Sequence, residues 1–265
     1  MPTDSPSRDG AGAVELSVVI PAHNSAAVIE STVTAFADHL VDRIAEIVVV
    51  ENGSTDDTSA ICDRLERDWD AERTALRVLH SDKGMGNALR LGILRSRGDR
   101  VLLTADDLPF GFDDLAGADE HARRSAVQAP VYIGSKSHPR SEVERGVLRA
   151  AMTLGFATLR RVVLRTRTGD PQGTFLLDGP MARDLAPALT EPGFLFTTEL
   201  DYAVELAGIR PVEVPVRLSD RHHDQPSRVA PADIVAMARG LWQLRTRRRG
   251  LREAAGAALR RHRTS

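Results

Sequence analysis

The chain has 265 residues, with 35 Lys plus Arg against 37 Asp plus Glu, a formal net charge of −2, and 42% hydrophobic and 27% charged positions. These values fit one α/β domain with appendages, exclude a disordered or fibrous chain and argue against a globally basic nucleic-acid binder. The single cysteine, Cys62, excludes a disulfide framework and a cysteine-based zinc site. No run of about 18 apolar residues is present, so no membrane-spanning helix is expected. The opening MPTDSPSRDG lacks the apolar stretch of a secretion signal, so residues 1–14 are expected to be a flexible leader on a cytoplasmic protein.

In chain order, ELSVVIPAHN is an apolar run too short for a helix and is expected as a buried strand. Residues 25–41 then show helical spacing through Val28, Ile29, Val33, Phe36 and Leu40. EIVVVENGS predicts a second strand, a Gly-Ser turn and a helix from Asp56. LRVLHSD predicts a third strand, with a helix after Gly84, and DRVLLTADDLP a fourth that ends in adjacent carboxylates. Apolar strands alternating with helices predict a parallel sheet. The second half predicts a strand at PVYIGSK, a helix over 141–164, a strand at GTFLLDG, a helix over 198–207 and an edge strand at IRPVEVPVRL. After the polar loop SDRHHDQPSR, residues 231–265 predict one or two basic amphipathic helices.

In such a sheet the ligand lies beyond the carboxyl ends of the strands. The residues there are His23-Asn24, Glu51-Asn52-Gly53-Ser54, Asp82-Lys83-Gly84 and Asp106-Asp107, a polar, acidic and glycine-bearing set suited to a phosphorylated ligand with a metal. A diphosphate needs its charge neutralised, and a hard cation held by one or two carboxylates does this.

Six segments in register resemble family 2 glycosyltransferases of the GT-A fold: SVVIPAHN, IVVVENGSTDDT, GMGNALRLG, the acidic stretch after VLLT, GDPQGTFLL and FLFTTELDYAVELAGIRPVEVPVRL. With VYIGSKSHPRSEVERGVLRAAMTLGF and PSRV, the second half resembles the polyprenyl- and dolichyl-phosphate glycosyltransferases, the glucosyl branch most closely through Asp170 and Gln172. The resemblance implies an α/β GT-A domain over 15–230. It also implies inverting transfer of a hexose, glucose foremost, from a UDP-sugar to a polyprenyl phosphate with Mg²⁺ or Mn²⁺. It places Pro21, Ala22, Asn24, Glu51, Gly53, Ser54, Lys83, Gly84 and Asp106 at the nucleotide sugar, and Asp107 with Asp106 at the metal. It places Ser135, Lys136, Arg140, Gln172 and Arg228 at the acceptor phosphate, and Glu199 at the sugar or as a base. Gly84 and Gly86 are expected to let backbone approach a phosphate. Three departures stand out: Ala105 for the first carboxylate of the metal motif, Leu176 at a basic position and Thr197 at an acidic one.

Residues 149–165 and 239–263 interleave arginines with apolar side chains, which suits peripheral contact with the cytoplasmic face of an anionic membrane. No aromatic interleaving or base-reading motif supports nucleic acid. Two other functions fit the same residues. One is transfer to a soluble hydroxyl acceptor, with Glu199 or Asp106 as base. The other is nucleotide-sugar binding without catalysis.

Overall fold

The computed structural model describes residues 13–70, 74–141, 147–218 and 231–262. Strands β1 (Leu16–Ala22), β2 (Ala45–Glu51), β3 (Thr74–His80), β4 (Arg100–Leu103), β5 (Val131–Ser135), β6 (Thr174–Asp178) and β7 (Val212–Pro215) form one seven-stranded sheet in the order β3-β2-β1-β4-β6-β5-β7. The β3-β2-β1-β4 half is parallel, as expected from the sequence. β6 then pairs antiparallel with both β4 and β5, and β7 closes the far edge parallel to β5.

The sheet is covered on both faces, which is why its central strands are largely apolar. Alternation decides the two faces. Leu16, Val18, Ile20, Ile47, Val49 and Leu102 meet Ile29, Val33 and Phe36 of α1 (Ile29–His39) and Leu115 and Ala118 of α4 (Asp113–Ser125). On the same side, α2 (Thr58–Arg67) contributes Cys62. On the other face, Val19, Val48, Val50, Val101 and Leu103 meet Ala88, Leu89 and Ile93 of α3 (Met85–Arg95). Helix α3 crosses β1 at Gly92, where an added Cβ would lie 2.2 Å from Val19 Cγ1.

The same cluster takes residues from α6 (Gly179–Leu185), α7 (Phe196–Leu206), α8 (Pro231–Thr246) and α9 (Arg248–His262). Leu241, Leu244, Leu251, Ala255 and Ala258 are all buried in it. The apolar side of α9 that suited a membrane surface is therefore used inside the protein. Helix α5 (Val147–Leu164) places Phe156, Leu159 and Val163 against this cluster and leaves Val162 exposed. Arg160, expected on its basic face, is fully buried and ion-paired with buried Asp201 at 3.7 Å. Helices α4 and α6 were not anticipated. α4 is alanine-rich with a weak apolar stripe, and α6 is only seven residues long, capped by Asp178, whose side chain accepts from Met181 N–H. Among the described residues, no helix is long and apolar enough to cross a membrane.

Candidate functional site

At the carboxyl edge of the parallel half, the turns share a backbone feature. Asn24, Gly53, Gly84 and Leu108 all have positive φ, at 55°, 74°, 131° and 48°. Glycine adopts this freely and asparagine tolerates it, whereas Leu108 is strained by about 1 kcal/mol or more. Pro21 fits in central strand β1 because its ring nitrogen falls on the β4 side. There Val19 C=O accepts from Thr104 N–H, and the ladder ends at Val19 and Leu103.

Side chains stitch these turns together. Asn24 N–H donates to Ser54 Oγ at 3.1 Å, and Thr55 N–H donates to Asn24 Oδ1 at 2.8 Å. Asn52 donates to Ala22 C=O at 2.9 Å and accepts Gly84 N–H at 3.3 Å, so it bridges the ends of β1 and β2 and the start of α3. Glu51 accepts Ser54 N–H at 2.6 Å and lies 3.4 Å from His80 Nδ1. Burial pushes its carboxyl up, but hydrogen bonds from Ser54, His80 and Gly53 outweigh this and hold it below its ordinary value. Gly53 sits against Lys83, whose Cβ would lie 3.3 Å from an added Cβ.

The carboxylates after β4 divide the work. Asp106 accepts the Ser25 hydroxyl, and its carbonyl accepts Thr32 Oγ1 at 2.6 Å, which ties the turn to the loop after β1. Ser25 is in turn held by Thr58 Oγ1, which accepts Ser25 N–H at 2.7 Å. Asp107 is half-buried at the same turn. Among the described residues, no group of three or more His, Cys, Asp or Glu could hold a metal by itself. Two adjacent oxygen donors fit a Mg²⁺- or Mn²⁺-type ion that takes its other ligands from water and a bound diphosphate.

The second half builds a neighbouring wall from the segment before β6. Glu205 accepts Arg167 N–H and Thr168 N–H, both at 2.8 Å, and Glu213 accepts Gly169 N–H at 2.7 Å. Thr168 Oγ1 donates to Asp201 Oδ1 at 2.6 Å. This backbone anchoring presents Asp170, which accepts Lys136 N–H at 2.9 Å and sits 3.7 Å from Lys136 Nζ. Lys136 Nζ also lies 5.5 Å from the centre of the Phe110 ring. Exposed Gln172 donates to Phe194 C=O and Thr198 Oγ1, each at 3.3 Å, and Arg140 is exposed.

The model of the family "Glycosyl transferase family 2" matches residues 17–177. This chain belongs to that family. It is 30% identical over 255 residues to Glycosyltransferase AglD of Haloferax volcanii, covering 92% of this chain but only 40% of that protein. It is 28% identical over 245 residues to Dolichyl-phosphate beta-glucosyltransferase of Saccharomyces cerevisiae, covering 85% of this chain and 72% of that one. In structure it resembles glucosyl-3-phosphoglycerate synthase from Mycobacterium tuberculosis, solved with Mn²⁺, UDP and glucosyl-3-phosphoglycerate. That match has a TM-score of 0.59 at 20% identity, over 91% of this chain and 81% of that one. The likeness establishes the GT-A fold.

Within this family 2 frame, the structure brings Asn24, Glu51, Gly53, Ser54, Lys83, Gly84 and Asp106 to one edge, with Pro21 and Ala22 buried beneath. It also revises several expectations. The α3 start is filled by protein: Gly86 N–H and Asn87 N–H donate to Pro192 C=O at 2.9 and 3.2 Å. Added Cβ atoms at Gly84 and Gly86 would lie 2.3 Å from Pro192 O and 2.1 Å from Glu191 O, so these glycines accommodate a protein segment.

Glu199 is fully buried. Its carboxylate accepts Thr190 N–H at 2.9 Å, Glu191 N–H at 2.8 Å and Arg247 Nη1 at 2.5 Å, which commits it to holding a loop. Ser135 is buried too: its hydroxyl donates to Glu213 and accepts Ser137 N–H at 3.2 Å, so it shapes the wall. Leu176 packs mid-strand between Leu102 and Tyr132, away from the carboxyl edge. Thr197 is buried near the start of α7, and Ala105 is half-buried. Arg228, the His222-His223 loop, Arg263 and leader residues 1–12 lie outside the described residues, as do the side chains of Arg149, Met152 and Leu154. Sequence reasoning missed Ser25, Asn52 as a bridge, Asp170 as an anchor for Lys136, and Arg247. The position of Asn52 at a strand end and the resemblance at Asp170 marked those two residues beforehand, without their roles.

Proposed function

We propose that this protein transfers a hexose, with glucose from UDP-glucose preferred, from a nucleotide-diphosphate sugar to a polyprenyl phosphate, with inversion at the sugar. The observation that carries this is the breadth of similarity to a dolichyl-phosphate glucosyltransferase, which extends through the acceptor half of the chain. The nucleotide would lie over the turns of Asn24, Glu51–Ser54 and Lys83–Gly84. Asp107, with Asp106, would hold a Mg²⁺ or Mn²⁺ ion, which when bound neutralises the leaving diphosphate.

Lys136, Arg140 and Gln172, with Arg228, would hold the acceptor phosphate. One phosphate oxygen forms a bond to the anomeric carbon as the bond from that carbon to the diphosphate oxygen breaks. The nucleoside diphosphate leaves with the electron pair. No proton moves, because the attacking oxygen is already ionised at neutral pH, so the chemistry needs positioning rather than a base. The buried, loop-holding Glu199 is compatible with such a site. Exposed Val162, Phe194 and Trp242, with the exposed arginines of α5, α8 and α9, would touch the cytoplasmic membrane face that carries the lipid.

A second function, transfer to a soluble hydroxyl acceptor, is favoured by the structural neighbour, a glucosyl-3-phosphoglycerate synthase solved with glucosyl-3-phosphoglycerate. Competition separates the two. Polyprenyl phosphate should be glycosylated in the presence of excess 3-phosphoglycerate. Transfer to the glycerate alone would favour the soluble acceptor.

A further inference from the structure

One chain of contacts runs from the C-terminal helices to the candidate donor site. Arg247, between α8 and α9, donates through Nη1 to Glu199 and through Nη2 to Ala188 C=O at 2.9 Å. The other Glu199 oxygen accepts Thr190 N–H and Glu191 N–H. The next residue, Pro192, turns its carbonyl onto the first turn of α3 at Gly86 and Asn87. Arg90 of α3 reaches back to Leu189 C=O at 3.2 Å. From there Asn87 Nδ2 donates to Lys83 C=O at 3.1 Å, and Gly84 N–H donates to Asn52.

Two independent observations mark this as a fitted seat. A buried carboxylate uses both its oxygens on one loop and one arginine. The helix it steadies has glycine at both positions where the loop leaves no space for a side chain. We propose that Arg247 is a positioning residue for the donor site: through Glu199 it fixes segment 188–193, which seats the start of α3 and so places the Lys83-Gly84 turn against Asn52 and Gly53. This rests on the donor reading under Proposed function.

The test compares wild type with Arg247→Gln and Arg247→Lys, measuring UDP affinity, donor KM and kcat, and hydrogen exchange at Gly86 and Asn87. Arg247→Gln should raise the donor KM and the UDP Kd about tenfold, change kcat by less than about threefold and speed exchange at both amides. Arg247→Lys should recover part of the affinity. A purely stabilising ion pair would instead lower Tm and the active fraction, leaving KM and Kd unchanged, and that result would overturn the proposal. If Arg247→Gln does not fold, Gly86→Ala displaces the same segment from the other side and should give the same KM effect; an unchanged KM there overturns it equally. Wild-type protein that binds no UDP would overturn the donor reading itself, and exchange at Gly86 and Asn87 would then still report whether Arg247 holds the segment.

Discussion

Individual side chains in this protein are chosen less for direct ligand contact than for fixing turns. Ser25 illustrates this: its hydroxyl goes to Asp106 and its amide to Thr58, so one small residue ties the loop after β1 to the carboxylates after β4. Asp106, proposed above to hold the metal with Asp107, receives this support. If Asp107 holds the metal as proposed, Asp107→Asn should lower turnover about a hundredfold or more while leaving Tm and UDP binding without metal unchanged, because it would remove charge beside the leaving diphosphate. Ser25→Ala, which removes the support for Asp106 together with the acceptor for His23 N–H, should cost about tenfold. Titrating Mn²⁺ against both variants checks the pair: a variant at Asp107 with normal turnover would place the metal elsewhere.

Elements of the first half were legible because periodicity is strong there. Strands β1 and β2 are buried throughout and apolar at all but Ser17, Glu46 and Glu51, and each is followed by a turn and an amphipathic helix. Helix α4 was not legible, since its burial rests on Leu115, Ala118 and a buried acid, Asp114. That acid has a measurable consequence. Burial pushes the Asp114 carboxyl up from 3.8 to about 6. The folded protein therefore holds this proton more tightly than the unfolded chain, so the contribution of Asp114 to stability falls as pH rises from about 4 to about 6 and is flat above. The displacement corresponds to about 3 kcal/mol. Asp114→Asn should melt above wild type at pH 8 and level with it at pH 4, as followed by thermal unfolding at both pH values. A variant less stable at pH 8 would contradict this. The site was less legible than the fold for the same physical reason that Asp114 was missed. Sequence places Glu199 and Ser135 at the correct edge, but burial and pairing, which decide whether they meet ligand or loop, come from distant residues such as Arg247 and Glu213.

At the scale of the whole molecule, the C-terminal helices belong to the main core. Helix α9 packs on α6 and α7, and through Arg247 and Glu199 the chain's last helices reach the start of α3. Burying each leucine-sized side chain stabilises by about 1.5–3 kcal/mol, so losing Leu251 with Ala255 and Ala258 removes a large part of a domain's margin. Deletion of residues 248–265 should abolish the cooperative melting transition. A truncated protein that melts like the full chain would return this segment to a purely surface role. Arginine is used in two ways here: Arg160, Arg245 and Arg247 serve internal contacts, while others, such as Arg249, are exposed. The most direct measurement incubates the full chain with Mg²⁺ or Mn²⁺, a panel of UDP- and GDP-sugars and a short polyprenyl phosphate, and follows both products by mass spectrometry. Lipid-dependent release of UDP with a matching hexosyl-phosphate lipid is the predicted result; UDP binding with no transfer to the lipid from any donor would contradict it.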